Sequence, residues 1–165
     1  MDNNADTPTL YMQRVKTQTE VLIPLLRHLR AELGEAEANA LVYPVLRDYM
    51  KKWIAEFAST ESDNPIENFH KTSDMLETMY EGDVDYDILK NDDEKLDLNV
   101  TGCRYADFFH QLGEPELGAI LVCEADEHIA DLSAPNVEMS RADTIMKGGT
   151  HCPFRYQFSD TKSGE

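Results

Sequence analysis

Residues 95–112 read KLDLNVTGCRYADFFHQL, and the period of their apolar positions changes at Gly102. Before it, Leu96, Leu98 and Val100 alternate with Asp97, Asn99 and Thr101, the spacing of a half-buried strand. After it, RYADFFHQL carries its apolar residues at helical intervals. Upstream the chain reads as helices alone, and downstream as strands mixed with helices. The expected fold class is therefore α+β: a helical N-terminal half followed by a small antiparallel sheet with two inserted helices.

The helical part is expected over 7–82. Thr7-Pro8 is a helix start, Tyr11, Val15, Leu22, Leu25, Leu26, Leu29 and Leu33 follow helical spacing, and Gly34 closes the segment. A second helix over about 35–58 carries a stripe at Ala38, Val42, Val45, Tyr49, Trp53 and Phe57. Pro24 and Pro44 are expected to bend these two helices. Ile66, Phe69, Leu76, Met79 and Tyr80 mark a third helix ending near Gly82. The charge run of 83–95 reads as an acidic connector, 96–158 as the part that carries the site, and 159–165 as a tail, all within one domain. A helix over 114–132 follows, with Pro115 in its first turn. VEMSRADTIM and HCPFRYQF then read as two strands joined by a hairpin turn at Lys147-Gly148-Gly149.

A chain of 165 residues buries a core without disulfides or a structural metal. Its 15 basic and 32 acidic residues give a net charge of -17, which argues against nucleic acid, because phosphate binding needs clustered Lys and Arg. No apolar run is long enough to cross a membrane, and the polar opening MDNNADTPTL is unlike a signal peptide, so a cytoplasmic location is expected. Three cysteines, an odd number, point to thiols or a metal rather than to a set of disulfides.

Local rules fail at several points of the second half. Asp126 falls inside the apolar arc formed by Leu121, Val122, Ala125, Ile129 and Leu132, with Cys123 at the margin of that arc. A carboxylate turned inward needs a partner or a ligand. If Val137, Met139 and Ile145 face inward, Arg141 and Asp143 share their face and either pair with each other or serve a site. Cys152 lies on the face of Phe154, Tyr156 and Phe158, which also suits a packed structural cysteine. His151 and Arg155 lie on the opposite face, and Pro153 implies a strand edge or a bulge.

The order CRYADFF, LGEPELGAILVCEAD, SRADTIMKGG and THCPFRY resembles the L-2-amino-thiazoline-4-carboxylic acid hydrolase family, specifically over about 96–156. The pattern that carries over is Cys103, Cys123 with Asp126, Arg141 with Thr144, Gly148, and Cys152 followed by Phe154. Where the family reads Cys-Asp-Phe, this chain has Cys152-Pro153-Phe154. The resemblance implies hydrolysis of a cyclic isothiourea, L-2-amino-thiazoline-4-carboxylate, to N-carbamoyl-L-cysteine, on a small carboxylated heterocycle as substrate.

That chemistry suits the residues. Asp126 is expected to hold the protonated amidine, and a thiolate of Cys103 or Cys123 to attack, with His151 as base. His110 and His128 are substitutes for His151. Arg141 or Arg155 is expected to clamp the substrate carboxylate, with Thr144 and Cys152 supporting the pocket between the long helix and the hairpin sheet. The alternative route is zinc, held by Cys103, Cys123 and Cys152 with Asp126 or His151, activating a water. GGTHCPFRYQF also looks like the closing hairpin of 4-vinyl reductase-type ligand-binding domains, on which reading the cavity senses a ligand without turnover. A helical interaction protein with packed cysteines is the third reading.

Overall fold

The computed structural model describes residues 9–159. The expected start at Thr7-Pro8 lies outside them. Thr9 caps the first helix instead, its side chain accepting the Met12 N–H, and α1 runs Leu10–Leu33. Gly34, at φ 89°, turns the chain directly into α2, Glu35–Phe57. Both helices run through their internal prolines, Pro24 and Pro44. Asn64 caps α3, Pro65–Tyr80.

The segment expected as an acidic connector is instead a strand. β1, Val84–Asn91, pairs antiparallel with β2, Lys95–Cys103. Its period-two pattern of Val84, Tyr86 and Ile88 was hidden by the charges between them. Cys103 then caps α4, Arg104–Leu112, its sulfur accepting the Ala106 N–H at 3.4 Å. The next helical stretch, 115–132, is called α5. It is α-helical over Pro115–Gly118, π-helical over Ala119–Cys123 and α-helical again over Glu124–Leu132.

β3, Val137–Arg141, and β4, Cys152–Phe158, complete a four-stranded antiparallel sheet in the order β1-β2-β4-β3. The β3–β4 connection is longer than the hairpin turn expected. It contains a 3-10 turn, Ile145–Lys147, capped by the Thr144 hydroxyl and closed by Gly148 at φ 96°. β4 is a central strand in the sheet order, yet at Pro153 itself it has a neighbour on one side only, so the expected edge is a local one. Pairing with β3 stops at Arg141↔Phe154, and Pro153 faces only Asn99 of β2, where no second ladder needs its missing N–H.

Two apolar clusters form the interior. Leu26, Tyr105, Phe109, Leu117 and Ile120 centre the cluster of α1, α2, α4 and the start of α5. Phe69, Ile129, Phe154, Tyr156 and Phe158 centre the other, between α3, the end of α5 and one face of the sheet. Trp53, Met79, Tyr80, Val84 and Cys103 pack against both. The helical stripes are shifted from those expected. Thr19 and Ile23 in α1, and Tyr43, Met50 and Ile54 in α2, are buried, whereas Leu25, Val45 and Tyr49 are exposed. Buried Glu114 receives Arg30 Nη1 at 2.8 Å and ties α1 to the head of α5.

Candidate functional site

The site begins with the π turn of α5. Ala119, Ile120, Leu121 and Val122 are all buried, whereas Cys123, the last residue of the turn, is half-buried. A π turn widens the helix by one residue and is often found at functional positions. The carbonyls here take side-chain donors: Leu121 accepts from the Tyr11 hydroxyl at 3.4 Å, and Cys123 from Arg141 Nη2 at 3.1 Å. The turn ends at Cys123, and Asp126 follows one turn later on the same side.

Opposite stands the buried face of the sheet. Period-two alternation sends Cys152, Phe154, Tyr156 and Phe158 to that face, all buried as expected. Arg141, on β3 beside Phe154, shares it, and its guanidinium stacks 4.9 Å from the Phe154 ring centroid. Between helix and sheet lies a cavity of about 720 Å³, lined by Cys103, Cys123, Cys152, Asp126 and Arg141. Five residues singled out in the sequence thus meet at one place.

The centre of this group is an ion cluster. Arg141, 5% exposed, donates to Glu127 at 2.8 Å and reaches Asp126 at 3.5 Å. It does not pair with Asp143, which instead accepts the Thr144 N–H. Burial pushes the Asp126 carboxyl up to about 6 even though Arg141 pulls the other way. Asp126 thereby titrates near neutrality inside the cavity, as a group must to move protons there.

The thiols behave otherwise. Burial raises all three, most strongly Cys123, and Arg141 offsets only part of this for Cys123 and Cys152. Two sulfurs accept backbone N–H groups, Cys103 from Ala106 at 3.4 Å and Cys152 from Ile145 at 3.2 Å. These favour a thiolate but do not outweigh desolvation. All three thiols are free and protonated at neutral pH.

Three expected site residues do not reach the cavity. His151 bonds to Thr150, Arg155 lies on the other face of the sheet against the Leu98 carbonyl and Asn99, and Thr144 caps the 3-10 turn. Neither substitute histidine lines it: His110 contacts the Met146 carbonyl, and His128 is buried in the helical packing. Leu132, expected in the apolar arc, is exposed at the end of α5.

The sequence reading missed the opposite wall. It is made by α3 and β1, through Phe69, Tyr80, Tyr86 and Ile88, with Asp74, Glu77 and Glu81 at the rim. The Tyr86 hydroxyl donates to Glu77 across that rim. The signal was present in β1's alternation. Among the described residues, no set of three or more His, Cys, Asp or Glu side chains is arranged to hold a metal ion. Cys103, Cys123, Cys152 and Asp126 as placed therefore do not fit the zinc route.

No helix among the described residues is long and apolar enough to cross a membrane. No curated protein sequence matches the chain. Among solved structures it is similar to the phenol-responsive sensory domain of the transcription activator PoxR with phenol, at a TM-score of 0.45 and 15% identity, covering 88% of this chain and 76% of that one. A family model described as L-2-amino-thiazoline-4-carboxylic acid hydrolase matches residues 14–156. That span includes every cysteine, Asp126 and Arg141, and most of the fold described above: the chain belongs to the L-2-amino-thiazoline-4-carboxylic acid hydrolase family.

Proposed function

We propose that this protein opens a 2-aminothiazoline, a cyclic isothiourea, by hydrolysis, the family's named case being L-2-amino-thiazoline-4-carboxylate to N-carbamoyl-L-cysteine. One observation carries the reading: the half-buried Asp126 carboxyl is held by Arg141 at 3.5 Å at the wall of a largely apolar cavity, where desolvation raises it to about 6. The ring carbon between sulfur and two nitrogens is electrophilic when the amidine is protonated. The Asp126 carboxylate takes a proton from a water, whose oxygen bonds to that carbon. The carbon–sulfur bond then breaks as the proton passes from Asp126 to the departing sulfur, and the new hydroxyl gives up its proton to solvent, which returns the proton that made the amidine cationic and leaves a carbonyl. The product is a carbamoyl group and a free thiol, with one water consumed.

Asp126 replaces the thiolate expected from sequence as the main reacting group, because desolvation disfavours all three thiolates. The cysteines line the cavity as weak hydrogen-bond donors and polarizable packing. The same protonated thiols favour a second reading, a ligand-sensing cavity without turnover. Thiol release from a panel of 2-aminothiazolines, including the 4-carboxylate, tests both. The expected result is release by the wild type and by Cys123→Ser, and its loss in Asp126→Asn. Stoichiometric binding with every ligand recovered unchanged would replace the hydrolase by the sensor.

A further inference from the structure

We infer that the ligand this cavity takes is a cationic amidine or isothiourea that lacks a carboxylate and carries a bulky apolar substituent. The inference rests on the proposed ring-opening for its reactive end, and on charge and size for the remainder.

The charge is on one side. Asp74, Glu77 and Glu81 ring the rim and Asp126 lies within, whereas the basic side chains lining the cavity are Arg141 and His70. Arg141 is already committed to Asp126, Glu127, the Cys123 carbonyl and the Phe154 ring. Within the cavity Arg141 is matched by Asp126, and outside it by solvent-exposed Glu127, so it presents no spare positive charge to a ligand. An amidinium meets the four carboxylates that line the cavity, Asp74, Glu77, Glu81 and Asp126. A ligand carboxylate must instead pass three rim carboxylates and draw Arg141 from partners it already has. Arg155, the other arginine expected to clamp such a group, is on the far face of the sheet.

Size points the same way. About 720 Å³ is within the 300–1,000 Å³ range of cavities that take drug-sized ligands, and an aminothiazoline ring with a carboxylate is far smaller. The remaining space is walled by Phe69, Leu96, Leu98, Ile88 and Tyr156, which suits an aromatic or branched aliphatic group.

The test measures binding and turnover separately for two probes, L-2-amino-thiazoline-4-carboxylate and 2-amino-4-benzyl-thiazoline. By calorimetric titration of wild-type protein at pH 7.5 (a working value about one and a half units above the Asp126 titration), the benzyl compound is expected to bind at least about tenfold more tightly, or about 1.4 kcal/mol. Glu127→Gln, which frees part of Arg141, is expected to narrow that ratio. Asp74→Asn with Glu81→Gln at the exposed rim does so independently if Glu127→Gln fails to fold. Equal or tighter binding of the carboxylate, no binding of either probe, or a ratio unmoved by every folded variant would overturn the inference. Tight benzyl binding without thiol release would sink the hydrolase reading and leave the ligand class standing. Turnover of the carboxylate alone would do the reverse.

Discussion

The cavity has carboxylates at both its ends, and they differ in kind. Asp126 is held beside Arg141 in the interior, with its acidity moved to about 6. Asp74, Glu77 and Glu81 stand in water at the rim. The same chemical group is strong in one place and screened in the other, because burial removes the water that weakens a charge. The floor is thus where single substitutions have large consequences, and the rim is where they have small, salt-dependent ones.

The sharpest break of this contrast is Asp126→Asn. Loss of a general base typically costs about 10²–10⁴ in rate, and that is the expected fall in kcat/KM for thiol release, with the far-ultraviolet spectrum unchanged. The wild-type rate should fall as pH drops through about 6, where Asp126 takes up its proton, and the residual rate of the variant should lack that limb. A variant that keeps both the rate and the limb would move the chemistry elsewhere.

Arg141→Met tests the floor from the other side. It leaves Asp126 and Glu127 without their shared cation, and breaking a buried ion pair costs about 3–5 kcal/mol. Glu127 is half-exposed and Asp126 keeps 24% of its side chain in solvent, so the expected loss falls below that range, at about 1–3 kcal/mol. The loss, read from urea midpoints, is expected to be smaller at pH 5 than at pH 7.5 (two working values on either side of about 6), since protonated Asp126 no longer needs a partner.

Asp126 also affects the stability of the intact protein, with a defined sign. Its folded value, about 6, lies above the ordinary aspartate value of 3.8, so the folded state binds more protons between these limits. Its contribution favours the fold below about pH 4 and is lost as pH rises to about 6, by up to about 3 kcal/mol. Comparing wild type with Asp126→Asn cancels the other titrating groups: the wild type should lose stability relative to the variant across that window. A difference that stays flat with pH would mean an ordinary carboxyl at 126.

The floor was legible from sequence because it breaks local rules. Asp126 interrupts an apolar arc and Arg141 sits on the inward face of its strand, so each calls for an explanation before any geometry is known, whereas Cys152 on the aromatic face suits simple packing and enters through the family resemblance. The residues that misled, His151, Arg155 and Thr144, obey their local rules and serve the sheet and a turn. Chemical aptitude nominates His151 and Arg155, and the family resemblance nominates Thr144. The outer wall was missed for the opposite reason. In VDYDILKN the alternation of a strand was present, but acidic residues between the apolar ones imitated a solvated connector. In α1 and α2 the stripes were displaced because apolar residues occur on exposed faces too, and periodicity alone does not say which face meets the core.

The rim supplies the smallest expected effect. Tyr86→Phe removes the hydroxyl that meets Glu77 between β1 and α3, and nothing else. Tyr86 is 40% exposed and Glu77 is also exposed, so water replaces the lost bond, and stability should change by no more than about 0.5 kcal/mol. A functional effect is still expected, because the pair bridges the two elements that wall the opening. Unlatching them should speed ligand entry and exit together, leaving affinity within about twofold while both rate constants rise. Stopped-flow binding separates these quantities. If affinity instead falls tenfold or more at unchanged association rate, Tyr86 belongs to the floor's class of contacts, and the division between a strong interior and a screened rim is drawn in the wrong place.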